Sequence, residues 1–572
     1  MKIIYLSVLS IVLAAIGYSC ASYAGSSDVN AAFEYRDIYL PDYNLQDSKK
    51  LNLDHIDEEW GIWGHNLANA IPEDASEQIY AEINGRPDED QFCFSNGKLF
   101  DYITDFIRNK YLLSDSIRFA ILPNDNSIVC LCGDCVRLGN KPGNASPAVH
   151  HLINKLAKKF PEHIFFTSHY STTKEPPAEK MLPNTGVIVS AMDYPITAGD
   201  SPKELKFLNL LEQWKEKTDR IYIWDYVMNF DDYFTPYPVF TPMQRRFKMY
   251  RDAGVTGVFL NGSGNDYSTF AKLRKTVLAD LLVNPDQEWE PLLRKYASEL
   301  YPTAGKDIAD FMVAQENMIT RNGSTLPLYE GIDKAVKIYL PEKEFVEFYN
   351  KLVTHKRNAT GWEKDQLELM TDAMAYTMLE LKRLNNDIDN TDKLKERLAR
   401  LSAREVEAYN EGYLSIEGYL ADYNFMEQQA AASSGTNLLK GVKLHPLTPL
   451  DEDYQDITII TDGQLGIPSN YHDGNLISSA NPEFRIAVPR MPGMKKLKVW
   501  MVDNPGFKIG LPEAVYVTVG GMKLPEQVPQ KTSANSGHAY LEFDVGQEGD
   551  IILSLRRNPE IKTMAIDEIE AF

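Results

Sequence analysis

Arg220-Ile-Tyr-Ile-Trp-Asp-Tyr226, the run Thr241–Ala253 and Val255-Thr-Gly-Val-Phe-Leu-Asn261 read in succession as strand, helix and strand. The two short runs are rich in β-branched and aromatic residues. The stretch between them instead carries apolar residues at three-and-four spacing. Strands joined through a helix run parallel, so this stretch predicts one βα unit of a parallel sheet. Working outward, the same alternation predicts eight strands: Phe33–Asp37, Trp60–Asn66, Gln91–Ser95, Ile117–Asp125, His163–Tyr170, Gly186–Tyr194, Arg220–Tyr226 and Val255–Asn261. Helices are expected at Leu99–Leu113, Pro147–Phe160 and Pro202–Lys217. Eight such units closing on themselves form a (β/α)8 TIM-type barrel, expected over residues 33–285. An open doubly wound sheet is the alternative, disfavoured because no Gly-rich phosphate turn follows the first strand.

Beyond the barrel the pattern is helical nearly throughout residues 286–430, including the stretches Glu363–Asn385 and Asp392–Phe425. Ala430–Thr436 (AAASSGT) reads as a linker. Short alternating runs then predict an antiparallel β-sandwich over 437–572, suited to carbohydrate binding. Upstream, Lys2, the apolar run Ile3–Ile16 and Ser19-Cys20 have the form of a signal peptide over residues 1–20, with 21–32 as a flexible tether. Ser19-Cys20 resembles a bacterial lipoprotein cleavage site, which predicts lipidation of Cys20. A plain signal peptide cut between Ala21 and Gly25 is the other reading, and both export the protein. The expected location is a membrane-anchored lipoprotein, periplasmic or at the cell surface.

The net charge of −22 over 572 residues argues against a general nucleic-acid binder, which needs Lys and Arg in excess. Cys93, Cys130, Cys132 and Cys135 remain after Cys20. Their C-x-C-x-x-C spacing suits a thiolate zinc site or local disulfides, structural in either case. No cofactor is expected for catalysis.

In such a barrel the active groups stand at the C-terminal ends of the strands, and here those ends are polar and aromatic. Asp125 and Asp225 end opposed strands and are the expected catalytic pair of a glycoside hydrolase, which places two carboxyl groups across the scissile bond. Asp193 stands as a substitute for either. The bland readings are a turn cap for Asp125 and a buried ion pair with Arg36 or His65 for Asp225. Arg36, His65, His169, Tyr170, Tyr194 and Asn261 are expected to hold sugar hydroxyls. Trp63, Trp224 and Tyr226, with Tyr233 and Tyr237, offer stacking planes, at least half of which belong in the core. His65 and His169 lack the spacing of a metalloenzyme motif.

With these residues in view, the chain resembles the bacterial family known as domain of unknown function 4838, found among Bacteroidota. The resemblance rests on Phe33-Glu-Tyr-Arg36, Trp60-Gly-Ile-Trp-Gly-His65, Pro123-Asn-Asp125, Cys130-x-Cys132-x-x-Cys135, Ile223-Trp-Asp225-Tyr226, Pro236-Tyr-Pro238, Gly254-Val-Thr-Gly-Val-Phe259 and Leu300-Tyr-Pro-Thr-Ala304, over about residues 33–320. Members look like glycoside hydrolases of the hexosaminidase (family 20) and α-glucuronidase (family 67) sort, which implies a barrel and a polysaccharide setting. Family 20 enzymes carry an Asp-Glu pair after strand four, whereas Asp125 is followed by Asn126. The final domain is similar to discoidin-like carbohydrate-binding modules. The expected function is an exported glycoside hydrolase; the alternative is a non-catalytic surface glycan-binding protein.

Overall fold

The computed structural model describes residues 31–572 apart from 76, 113–115, 200, 388, 407, 433–435, 453, 469, 470, 472, 473, 533–536 and 562. The expected signal peptide, Cys20, the tether up to residue 30 and the centre of the Ala430–Thr436 linker lie outside the described residues.

Seven parallel strands form the principal sheet: β1 (Tyr35–Tyr39), β2 (Trp60–Ile62), β3 (Arg118–Ala120), β4 (Ile164–His169), β5 (Thr185–Ser190), β6 (Ile221–Tyr226) and β7 (Gly257–Asn261). Their hydrogen-bonded order is β1-β7-β6-β5-β4-β3-β2, so chain neighbours are spatial neighbours except across β1 and β2. Those two edge strands stand six strand spacings apart along the sheet, about 29 Å if it were flat. Instead the rings of Tyr35 on β1 and Trp60 on β2 lie 5.9 Å apart, edge to face. The sheet is therefore strongly curled. Its interior is filled by Tyr35, Trp60, Ala120, Phe166, Ile188, Tyr222 and Phe259, one side chain from each strand.

The closed eight-stranded barrel expected from sequence is thus not formed; hydrogen bonding leaves the sheet open between β1 and β2. The missing strand is Gln91–Ser95. Residues Arg86–Phe92 pair antiparallel with Tyr80–Ile83 instead, in a ribbon separate from the sheet. The reason is local: Asn84 and Gly85 adopt positive φ (52° and 77°), the two-residue turn that fixes a tight hairpin.

Helices Gly97–Lys110, Ser146–Lys159, Pro202–Lys215 and Phe240–Asp252 form where periodicity predicts them, and Ala271–Val283 adds another after β7. Their starts are conventional. The Asn96 side chain accepts from the amides of Lys98 and Leu99, and Ser201 caps Lys203 ahead of Pro202. Period-two alternation then divides each strand. On β6, Tyr222 and Trp224 face the interior while Ile221 and Ile223 join the core beneath the helices.

The helical region from Trp289–Leu300 to Ile416–Ala432 shares one apolar core with this layer, Tyr376 and Tyr419 lying in the same cluster as Ile223 and Phe247. The helical stretch Asp392–Phe425 is divided: Asp392–Ala399 ends, and the next α-helix begins at Ile416. Asn410 and Gly412 supply turn chemistry in between. The C-terminal region forms two antiparallel sheets, of five and four strands, over a core of its own.

Candidate functional site

A cleft of about 450 Å³ opens at the C-terminal ends of the seven strands. Strand parity decides which side chains reach it. From β4, Phe166 lies in the interior, and Ser168 and Tyr170 follow on the same face into the cleft; from β6, Trp224 and Tyr226 do the same. Asn261 ends β7, His65 follows β2 and Asp125 follows β3. Of the residues singled out from sequence, the structure therefore brings together His65, Asp125, Tyr170, Trp224, Tyr226 and Asn261. Trp63 backs this group, its ring stacked on Trp224 at 5.1 Å and 7°.

The loop that presents Asp125 is held from behind. Gln91 donates to the Asn124 carbonyl (3.2 Å) and to Asn126 Oδ1 (3.0 Å), and its Oε1 accepts from the Asn124 amide (3.1 Å). Asn124 and Asn126 both donate to the Asp90 carbonyl, at 2.9 and 2.8 Å. Asp125 itself is left to the cleft, which the Tyr170 ring also lines. That neighbouring carboxylate, after burial, pushes the Tyr170 phenol up to about 12. His65 Nδ1 lies 2.6 Å from the Pro123 carbonyl, a group that only accepts, so Nδ1 donates there.

The remaining residues proposed from sequence stand elsewhere. Asp225 is the principal correction. It is fully buried on the helix side of β6, ion-paired to Arg246, and accepts from the Tyr250 hydroxyl (2.6 Å) and the Tyr226 amide (2.8 Å). It lies between Trp224 and Tyr226, and a period of two sends it to the opposite face. The partner is Arg246, not Arg36 or His65. Arg36 is buried against the backbone, donating to the carbonyls of Phe33 and Asn52. His169 likewise faces the helices, its Nδ1 accepting from Trp214 Nε1 (3.3 Å); burial pushes it down to about 4. Asp193 is exposed and paired with Lys174 at 2.7 Å, and the Tyr194 ring packs on Phe207 with centroids 4.2 Å apart. Tyr233 and Tyr237 belong to the core.

Two wall residues come from the helical region and were not found from sequence: Glu411 and Tyr329. The segment after β6 carries them into place. Phe230 donates its amide to the Leu328 carbonyl (2.7 Å) and accepts from the Glu411 amide (2.8 Å), while Tyr233 donates to the Tyr409 carbonyl (2.8 Å). Beside Glu411, Gly412 leaves room for the Phe507 ring of the C-terminal domain, which a Cβ would approach to 2.8 Å. The Tyr329 hydroxyl donates to Glu411 Oε2 at 2.8 Å. Glu411 is exposed at the cleft rim, yet desolvation by its surroundings raises its carboxyl, and the charges of Asp231 and Asp125 push the same way, against the Tyr329 bond. The Tyr409-Asn-Glu-Gly-Tyr413 break in an otherwise helical stretch was the available signal.

Away from the cleft, the four cysteines converge. Their sulfurs all lie within 4.8 Å of one another, and none is in a disulfide.

The model of the family described as Domain of unknown function (DUF4838) matches residues 23–313. No curated protein matches the chain. Among solved structures, it is similar to a family GH115 4-O-methyl-α-glucuronidase, BtGH115A, with specificity for decorated arabinogalactans, at 11% identity and a TM-score of 0.35, over 86% of this chain and 68% of that one. It is also similar to a GH138 enzyme targeting pectin rhamnogalacturonan II, at 8% identity and a TM-score of 0.30, over 83% of this chain and 76% of that one. A Streptococcus pneumoniae fucose-binding module, SpX-3, matches 24% of this chain and 98% of its own at 11% identity and a TM-score of 0.19.

Proposed function

This chain belongs to the DUF4838 family, and from that premise we propose that it is a glycoside hydrolase whose acid pair is Asp125 and Glu411. The observation that carries the reading is that two carboxyl groups in different environments line one cleft. Glu411, exposed at the cleft rim but partly desolvated and facing other carboxylates, is the group to give a proton to the departing glycosidic oxygen. Asp125 lines the same cleft beside Tyr170 and is the group to attack the anomeric carbon or to activate a water. The Trp224 and Tyr226 rings offer planes for a sugar face, and Asn261, Ser190 and His65 Nε2 supply hydroxyl partners. The sequence-based pair of Asp125 with Asp225 is replaced by Asp125 with Glu411.

We extend the proposal to the ends of the chain: export with a lipid on Cys20, and glycan capture by the C-terminal sandwich. Metabolic labelling with a fatty acid, lost in Cys20→Ser, tests the anchor. The central test is turnover of a glycan panel by the native protein, Asp125→Asn and Glu411→Gln. Hydrolysis by the native form, lost in both variants with binding kept, supports the pair. Binding by all three without hydrolysis by any overturns catalysis and leaves a capture protein.

A further inference from the structure

We infer that Cys93, Cys130, Cys132 and Cys135 together hold one zinc ion in a closed tetrathiolate site that fastens the loop bearing Asp125. The chain alone leaves two options for these cysteines, and the geometry separates them. Four sulfurs around one zinc, each at about 2.3 Å, stand about 3.8 Å apart along the edges of a tetrahedron. Cys93 Sγ lies 3.7 Å from Cys132 Sγ and 3.8 Å from Cys135 Sγ, and no two of the four ligand atoms are more than 4.8 Å apart. Two disulfides would draw the sulfurs into separate pairs at about 2.05 Å. A single cluster of four mutually near sulfurs is the arrangement of a metal site.

The surroundings match thiolates. The Glu82 amide donates to Cys130 Sγ (3.3 Å), and the Cys135 amide donates to Cys132 Sγ (3.5 Å). The Ser95 hydroxyl lies 3.1 Å from Cys135 Sγ and 3.3 Å from Cys93 Sγ. The two amides are donors of the kind that hold metal-bound sulfurs in place from outside. Cys93, Cys130 and Cys135 are buried, and four protein ligands leave no open position, so the site is structural and takes no part in bond cleavage. The soft sulfur set selects zinc over magnesium or calcium.

Two separate pieces of chain meet at this point. Cys93 follows the ribbon strand that carries Asp90 and Gln91, Cys130 and Cys132 lie just beyond the Asp125 loop, and Cys135 lies in the short helix Gly133–Leu138. Asp90 and Gln91 hold Asn124 and Asn126 on either side of Asp125. A metal joining the ribbon to the far end of the loop closes that bracket. The cysteines are positioning residues for the cleft.

The experiment is metal analysis of the full chain purified without chelator. One zinc per chain that survives desalting is expected, and it falls to background in Cys130→Ser/Cys135→Ser. Exchange for cobalt(II) in the native protein gives thiolate-to-metal charge-transfer bands with the visible bands of a tetrahedral centre, a readout that needs no variant to fold. Zinc removal is expected to speed hydrogen exchange over residues 124–131. Iron as the bound metal overturns the choice of zinc. A metal-free chain that takes up neither ion, or an intact mass short of the protons of two disulfides, overturns the site. None of these readouts depends on glycan turnover.

Discussion

Replacing Asp225 by Asn takes one negative charge from a fully buried position and leaves Arg246, itself buried, facing a neutral amide. Among the described residues Arg246 otherwise donates only to the carbonyls of Tyr194 (2.8 Å) and Pro195 (2.9 Å). Removing one partner of such a pair strands an uncompensated charge, at a cost of ~3–5 kcal/mol. The amide must also satisfy the Tyr250 hydroxyl and the Tyr226 amide, which both donate to the present carboxylate. Against a domain stability of ~5–15 kcal/mol, that loss is about a fifth or more of the whole. With a urea slope of roughly 1–3 kcal/mol/M, the midpoint followed by tryptophan fluorescence falls by on the order of 1 M or more. A catalytic Asp behaves in the opposite way, its neutralisation leaving the midpoint in place and removing turnover. Asp225→Leu with Arg246→Met, which removes both charges, is expected to recover much of the loss. A midpoint within about 0.5 kcal/mol of the native value in Asp225→Asn would refute the structural assignment.

Glu411→Gln keeps the acceptor for Tyr329 but holds no proton to give, so hydrolysis of natural glycans is expected to slow by ~10²–10⁴-fold. Aryl glycosides with acidic leaving groups, which need no proton, are expected to be far less affected; equal losses on both substrates would remove Glu411 from the acid role. If Glu411 is the acid proposed above, the alkaline limb of kcat/KM follows the loss of its proton and is expected above the ordinary glutamate range, because desolvation raises that carboxyl. Asp37 is buried below the cleft and pushed up to about 7 by desolvation, against hydrogen bonds from Tyr43 (2.8 Å) and Tyr35 (3.0 Å). The folded state therefore holds this proton more tightly than the unfolded chain, and stability falls as pH rises from about 4 to about 7. Urea midpoints at about pH 5 and about pH 8 are expected to differ less in Asp37→Asn than in the native protein, and an unchanged difference would contradict the assignment. Gly257→Ala puts a Cβ 2.6 Å from the buried Tyr222 ring, and a loss of ~1–3 kcal/mol is expected in the same assay.

What could be read from the sequence follows from how far apart the determinants lie. Trp224 and Tyr226 were legible because an alternating run ending in polar and aromatic groups declares both its faces. The same rule, applied strictly, would have sent Asp225 to the opposite face, and the error was to take every terminal side chain as turned to one side. The surplus strand came from reading Gln91–Ser95 by its composition while passing over Asn84-Gly85, the turn that commits that segment to a hairpin. Glu411 was out of reach for a different reason. It lies far beyond the last strand and arrives only because the backbone at Phe230 pairs with segments at Leu328 and Glu411. No periodicity encodes a contact of that range. The four cysteines announced a cluster by spacing, but the choice between metal and bridges depends on Cys93, which only the fold brings near.

The seam between β1 and β2 bears on how this architecture can vary. Elsewhere round the wall, moving two strands apart breaks a ladder of amide-to-carbonyl bonds; at the seam, the Tyr35 and Trp60 rings meet in its place. The curl of the sheet at that point is set by side-chain size rather than by backbone stagger. A smaller residue at either position changes how tightly the sheet curls without unpairing a strand, so relatives can vary the spacing of the strand ends through substitutions that leave every register intact.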